Sequence, residues 1–244
     1  LAFGIGVGSL CLIAGFYTPV RLISLGASEE NSFTKSVLLA VAFPMLLSTS
    51  MFMVMNWTDT LMIGYYLTEY EVGIYRLAFK VAALVTFAQF AINSIAAPMF
   101  SSFKAKGDMA GLRRIVRNIG YLNVLISGPI FILILLFPNP VLEFFGEEFS
   151  KGSEPLIILA VGSVINALCG PVMYLLNMTG KEKAARNIII VASVLNVVLN
   201  LTFIPAYGLI GAAYATSIST IIWNALAVVQ IKKEYGFISI PHPF

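Results

Sequence analysis

Long apolar segments recur from one end of this 244-residue chain to the other, each about the length of a membrane-crossing helix. A bilayer core of about 30 Å requires about 20 apolar helical residues. Backbone groups in lipid must be paired within the protein, and the segments lack strict alternation of polar and apolar residues, so helices are predicted rather than barrel strands. Seven spans are predicted, at residues 1–16, 36–67, 72–103, 115–137, 155–176, 187–204 and 209–231.

The composition favours a membrane protein and gives no sign of an enzyme. Apolar residues make up 59% of the chain and charged residues 11%, whereas soluble domains carry about 25% charged residues. The chain has one histidine and two cysteines, and it lacks metal-site spacings and glycine-rich phosphate loops. We therefore expect an all-α polytopic helix bundle in the cell membrane, with no enzymatic activity, no cofactor, no metal and no nucleic-acid partner.

Basic residues are concentrated in alternate connections between the predicted spans. Twelve of the fifteen Lys and Arg residues lie in residues 17–35, 104–117, 181–186 and 232–233, whereas the intervening connections are acidic or uncharged. Cytoplasmic loops of membrane proteins carry an excess of Lys and Arg. These four segments are therefore predicted to be cytoplasmic, and residues 68–71 and 138–154 external.

Three ionisable residues lie inside the predicted spans, namely Asp59, Arg76 and Lys80. Each costs about 2.5–3.5 kcal/mol in a membrane, so such residues normally face a partner or a wet cavity. Asp59 and Lys80 are predicted at equal depth, about 12 Å from a hairpin turn at residues 68–71, and we expect them to pair. Arg76 is expected one turn nearer the outer surface on the same face as Lys80.

Two interpretations of these charges remain open. In the first, an ion pair locks the hairpin while Arg76 extends to the outer interface. In the second, the charges line a substrate or ion path, where net positive charge would attract an anionic substrate.

Amide side chains are a second polar feature of the predicted spans. Gln89 and Asn93 lie one turn apart, and Asn166, Asn196, Asn200 and Asn224 follow in later spans. Amides in a bilayer form hydrogen bonds between helices or line water. The candidate substrate-binding residues are thus Arg76, Lys80, Asp59, Gln89 and Asn93.

Several stretches resemble a known transporter family. The segments NWTDTLMIGY at 56–65 and EVGIYRLA at 71–78 resemble the hairpin of polysaccharide-biosynthesis flippases. These proteins belong to the MATE-like superfamily, which also contains lipid II flippases and multidrug exporters. The stretches FFGEEF at 144–149, TGK at 179–181 and IPAYGLIGAAYAT at 204–216 agree with the polysaccharide branch in order and spacing.

The resemblance implies the C-terminal portion of a larger two-lobe transporter. Residues 1–35 would be the last helix of the first lobe and a cytoplasmic linker, residues 36–231 the six-helix second lobe, and residues 232–244 a cytoplasmic tail of the kind that leads to further helices. The family translocates polyprenyl-diphosphate-linked oligosaccharides by alternating access. The implied partners are that lipid-linked oligosaccharide, membrane lipids and the missing N-terminal lobe.

Only Arg76, Lys80 and Asp59 occupy hairpin positions that match the family pattern. Two other functions stay open. One is an ion-coupled multidrug exporter of the related branch, and the other is a membrane scaffold in glycan assembly that transports nothing.

Overall fold

The described part of the chain is helical throughout. The computed structural model describes the backbone of residues 35–241 and the side chains of residues 42–241, so the predicted span at residues 1–16 lies outside it. The helices are α1 Lys35–Tyr66, α2 Glu69–Ala83, α3 Phe87–Ala105, α4 Met109–Leu136, α5 Pro138–Glu143, α6 Ser153–Cys169, α7 Val172–Met178 and α8 Glu182–Tyr235. Short 3-10 turns occupy Leu84–Thr86 and Glu147–Gly152. The all-α fold class is confirmed.

Four of the described helical segments are long and apolar enough to cross a membrane, namely Glu69–Ala105, Met109–Leu136, Glu147–Cys169 and Glu182–Tyr235. They coincide with the predicted spans from residue 72 onward. Helix α1 follows the predicted span at residues 36–67 to within one residue at each end. The chain is therefore a multi-pass membrane protein.

Helix α8 is two antiparallel helices rather than one rod. A straight helix of 54 residues would extend about 80 Å. Yet Lys181, just before its start, pairs with Glu234 near its end, with 2.5 Å between Nζ and Oε2. The chain reverses at Gly208, whose φ of 59° and ψ of −134° are non-helical. The N-terminal half, residues 182–207, and the C-terminal half, residues 209–235, correspond to the last two predicted spans.

The hairpin between α1 and α2 turns where the sequence predicts. A capping box begins α2: the Thr68 hydroxyl accepts a hydrogen bond from the Glu71 backbone N–H, and the Glu71 carboxylate accepts one from the Thr68 backbone N–H at 3.0 Å. Reciprocal bonds of this kind satisfy two backbone donors that a helix start leaves unpaired. The turn is therefore fixed, and it holds α1 beside α2.

The predicted span at residues 155–176 is broken into two helices. Helix α6 ends at Cys169 and α7 begins at Val172, because Gly170 has a φ of 77° and Pro171 has no backbone N–H to donate. The sequence did not show this break, because apolar residues continue on both sides of it. At the break the Gly170 carbonyl accepts a hydrogen bond from the Val172 backbone N–H at 2.9 Å, a turn contact rather than a helical one.

Residues from Phe43 onward pack as one compact unit, whereas α1 begins in a separate unit, Leu1–Ala42. Two apolar clusters form the core of the unit that begins at Phe43. The first surrounds Phe100, Leu175 and Ile189, and the second surrounds Ile63, Leu156 and Ile204. After α8, Phe237 is buried in the first cluster, so the segment following the last helix folds back onto the bundle.

Candidate functional site

Asp59 of α1 is at the centre of a buried polar cluster that four helical segments build. Its side chain is 1% exposed and accepts hydrogen bonds from Tyr75 Oη at 2.8 Å, Asn200 Nδ2 at 2.7 Å, Asn196 Nδ2 at 3.5 Å and the Thr216 hydroxyl. Tyr75 comes from α2, the two asparagines from the N-terminal half of α8, and Thr216 from its C-terminal half. We call these five residues the Asp59 cluster.

The reversal at Gly208 is what assembles this cluster. It brings Thr216 alongside Asn196, and Asn196 Nδ2 lies 3.4 Å from Thr216 Oγ1. Asn196 and Asn200 are four residues apart, so they share one helix face, and Asn200 Nδ2 also donates to Asn196 Oδ1 at 3.2 Å. Asn200 Oδ1 is buried and has no hydrogen-bond partner among the described residues.

Asp59 and Lys80 do not form the expected ion pair. Among the described side chains, the pair between Lys181 and Glu234 is the one salt bridge recorded, and Lys80 is exposed. Tyr75 is the α2 residue that faces Asp59, and Lys80 follows it by five residues, which is about 140° around the helix axis. Asp59 and Lys80 were predicted at equal depth along their helices, but their side chains lie on sides of the helices that do not face each other.

Arg76 is half-buried and held by neutral groups. Its Nη1 donates to Thr60 Oγ1 at 3.3 Å, and its guanidinium carbon lies 4.9 Å from the centroid of the Trp57 ring and 6.0 Å from that of Phe79. No described carboxylate lies within ion-pair distance of Arg76 or Lys80. This hairpin thus carries two cations without an acidic ion-pair partner in the described chain.

Gln89 and Asn93 line a cavity that Arg76 and Lys80 do not reach. The cavity has a volume of about 450 Å³, and four amide side chains line it: Gln89, Asn93, Asn166 and Asn177. We call it the amide cavity. Gln89 Nε2 donates to the Gly170 carbonyl at 3.3 Å, so the break between α6 and α7 positions one of these amides.

A second cavity of about 290 Å³ lies between the Asp59 cluster and the amide cavity. Thr216, which bonds Asp59, lines it, and so does Phe79 beside Arg76. Asn166 and Trp223 line both cavities. The five candidate residues therefore fall in three places: Asp59 in its cluster, Arg76 in the middle and Lys80 in the last turn of α2, and Gln89 and Asn93 in the amide cavity.

The site residues predicted from the sequence did not include Tyr75, Asn196, Asn200 or Thr216. The spacing of the two asparagines was a usable signal, because amides four residues apart in a membrane helix form a polar stripe. Tyr75 and Thr216 carried no comparable signal, since isolated hydroxyls are common in such helices. Their role depends on which helices become neighbours.

The Asp59 cluster contains carboxylate, hydroxyl and amide oxygens, although both asparagines turn their Nδ2 donors toward Asp59. No group of three or more His, Cys, Asp or Glu side chains within the described residues could hold a metal ion. A carboxylate beside amide and hydroxyl oxygens suits a proton or a small hard cation, and ionisable residues inside membrane bundles commonly mark ion paths. The arrangement can therefore exchange a proton or a small cation without a cationic side chain as competitor.

The chain is similar in sequence to one family model and to several known proteins. The family model described as MatE matches residues 44–202. "Probable low-salt glycan biosynthesis flippase Agl15" from Haloferax volcanii is 30% identical over 191 residues, which cover 74% of this chain and 40% of that protein. "Probable multidrug resistance protein NorM" from Photorhabdus laumondii is 29% identical over 217 residues, which cover 81% of this chain and 46% of that protein.

A solved structure supports the same fold. A MOP superfamily transporter from Pyrococcus furiosus superposes with a TM-score of 0.68 at 19% identity, over 83% of this chain and 46% of that one. The chain therefore spans less than half the length of each of these proteins.

Proposed function

The chain belongs to the MatE family of membrane transporters, and from this we propose that it is the second lobe of a flippase for polyprenyl-diphosphate-linked oligosaccharide. In this proposal residues 36–231 form the lobe, residues 1–35 are the last helix of the first lobe with a cytoplasmic linker, and residues 232–244 are a cytoplasmic tail. The missing N-terminal lobe supplies the opposite wall of the transport path. The two lobes move the lipid-linked glycan across the cell membrane by alternating access.

The observation that carries this proposal is the uncompensated positive charge at Arg76 and Lys80. A cation inside a membrane bundle is costly unless an anion or water compensates it, and no described carboxylate lies within ion-pair distance of these two residues. A diphosphate is an anion of suitable chemistry, because a guanidinium presents a planar fork of donors to phosphate oxygens. Thr60 and the Trp57 ring hold that fork in place.

The Asp59 cluster supports a coupling role in the same proposal. Asp59 is buried and hydrogen-bonded only to neutral groups, so its charge is available to a proton or a small cation rather than to Lys80. Coupling-ion sites of transporters lie near the bilayer midplane among polar groups of neighbouring helices. In this proposal Asp59 binds the coupling ion and so links the ion gradient to this lobe.

An ion-coupled multidrug exporter is the second candidate, and the similarity to NorM favours it. The substrates of such exporters are amphipathic cations, which Arg76 and Lys80 would repel. The only acidic side chain inside the predicted spans, Asp59, is enclosed by its hydrogen-bond donors. The charge distribution therefore supports the anionic lipid-linked substrate.

Complementation of a strain that lacks its glycan flippase, with the full-length protein, tests the proposal. We expect Arg76→Glu to abolish complementation at normal protein abundance, because it replaces the diphosphate-binding cation with a repelling anion. Arg76→Lys should keep part of the activity, since the charge remains and the fork is lost. Full activity of Arg76→Glu at normal abundance would contradict a substrate-binding role for Arg76.

A further inference from the structure

The amide cavity contains buried polar atoms that have nothing to bond. Asn93 is 3% exposed and Trp223 is 7% exposed. Asn93 Oδ1, Asn177 Oδ1 and Trp223 Nε1 have no hydrogen-bond partner among the described residues. A buried polar group without a partner is destabilising, and such groups in a native protein call for a bound molecule or a function.

The cavity is electrically neutral. The described residues that line it include amides, hydroxyls, aromatic rings and aliphatic groups, and none of them is Asp, Glu, Lys, Arg or His. A diphosphate would lack a cation there, and an amphipathic cation would lack an anion. The volume of about 450 Å³ is within the range of small-molecule sites, so the ligand that fits is uncharged and polar.

The unpaired acceptors and donor around the amide cavity match a sugar. Each sugar hydroxyl both donates and accepts, which satisfies the acceptor atoms of Asn93 and Asn177 and the donor of Trp223 together. Phe52 packs edge to face on Trp223 with 5.6 Å between ring centroids, so the indole is held in a fixed orientation. Aromatic walls beside a few converging polar groups are typical of ligand sites that fix orientation.

We propose that the amide cavity binds one uncharged sugar unit of the transported glycan through Asn93, Asn177 and Trp223. This inference rests on the proposed flippase function and adds a glycan-reading subsite to it. The position of the second cavity agrees with one extended substrate, because that cavity is lined both by Phe79 beside Arg76 and by Trp223. The diphosphate lies at Arg76 and the sugar in the amide cavity.

The test compares two soluble probes on the purified full-length protein. One is geranyl diphosphate, and the other is a set of geranyl-diphosphate-linked neutral oligosaccharides built from glucose, galactose or N-acetylglucosamine. Oligosaccharides are needed because Asn93 follows Arg76 by about 25 Å of helix, which is farther than a single sugar on the diphosphate can reach. We expect the wild type to bind at least one sugar-bearing probe more tightly than geranyl diphosphate. Asn93→Leu and Trp223→Phe should weaken that probe about three- to tenfold, the effect of one lost hydrogen bond, and leave geranyl diphosphate unchanged. Arg76→Glu should weaken both probes.

Asn123→Leu is the matched control. Asn123 is another buried asparagine, 1% exposed, with neither side-chain atom partnered among the described residues, and it does not line the amide cavity. It should leave both affinities unchanged.

The possible outcomes separate the two proposals. Equal affinity of the wild type for all probes, or wild-type affinity in both Asn93→Leu and Trp223→Phe, would overturn the sugar subsite and leave the flippase proposal intact. Failure of the wild type to bind any probe, with binding of a lipophilic cation such as tetraphenylphosphonium, would overturn both.

Discussion

The Asp59 cluster and the amide cavity both place polar side chains inside a membrane bundle, but they satisfy them differently. The Asp59 carboxylate accepts four hydrogen bonds from protein groups, whereas Asn93 Oδ1 and Trp223 Nε1 accept and donate none among the described residues. The first arrangement is stable without a substrate. In the proposed sugar subsite, the second is completed when a sugar of the substrate enters.

This difference distinguishes a residue that responds to an ion from residues that read a substrate. A carboxylate that accepts four hydrogen bonds takes up a proton or a small cation in exchange for some of those bonds. Unpaired amides that line a cavity of about 450 Å³ would instead bond a ligand of many atoms. Substitutions should therefore have opposite effects on stability at the two places.

The largest effect is expected from Asp59→Ala. Removal of the carboxylate leaves four buried donors without their acceptor, so the free energy of unfolding should fall by at least about 2 kcal/mol. Transport should be lost as well. Denaturation of the full-length protein in detergent measures the first effect, and a proteoliposome assay the second.

Asp59→Asn is the control variant that preserves the shape of the side chain. It keeps one acceptor oxygen and removes the charge, so it should recover part of the stability but no transport. Transport at the wild-type rate in Asp59→Asn would contradict the coupling role of Asp59, because the neutral residue cannot supply the charge that the ion requires.

The sequence predicted the helices well because apolar run length reports directly on membrane thickness. The hairpin turn at Thr68 and the reversal near Gly208 were predicted for the same reason, since turn residues interrupt the runs. The break at Gly170 was missed because apolar residues continue on both sides of it. It matters for the site, since the Gly170 carbonyl at the break accepts a hydrogen bond from Gln89.

The site was predictable in its residue types and less so in its contacts. The rise per residue of a helix placed Asp59 at a depth that suggested a partner on α2. The direction of each side chain around its helix depends on how the helices pack, and packing placed Tyr75 rather than Lys80 against Asp59. Thr216 reaches Asp59 only through the reversal in α8, which brings together residues 157 positions apart.

Two double-mutant cycles test that assignment, and an intermediate effect is expected. The cycle of Asp59→Asn with Tyr75→Phe should give a coupling of about 1–2 kcal/mol in unfolding free energy, since the Tyr75 hydroxyl donates to the carboxylate at 2.8 Å and residues in contact are not additive. The cycle of Asp59→Asn with Lys80→Ala should be additive. Strong coupling to Lys80 would restore the ion pair that the sequence suggested and exclude the present arrangement.

The smallest effect, and the one of opposite sign, is expected at Asn93. Asn93→Leu replaces a buried acceptor that has no partner with an apolar group of similar shape, so the free energy of unfolding should rise, by about 1 kcal/mol. Asn123→Leu should raise it similarly, because Asn123 is also buried and unpartnered. Only Asn93→Leu should reduce transport, since Asn93 alone of the two lines the cavity. A loss of stability in Asn93→Leu would mean that Asn93 already has a bonding partner in the empty transporter, and the contrast with Asp59 would disappear.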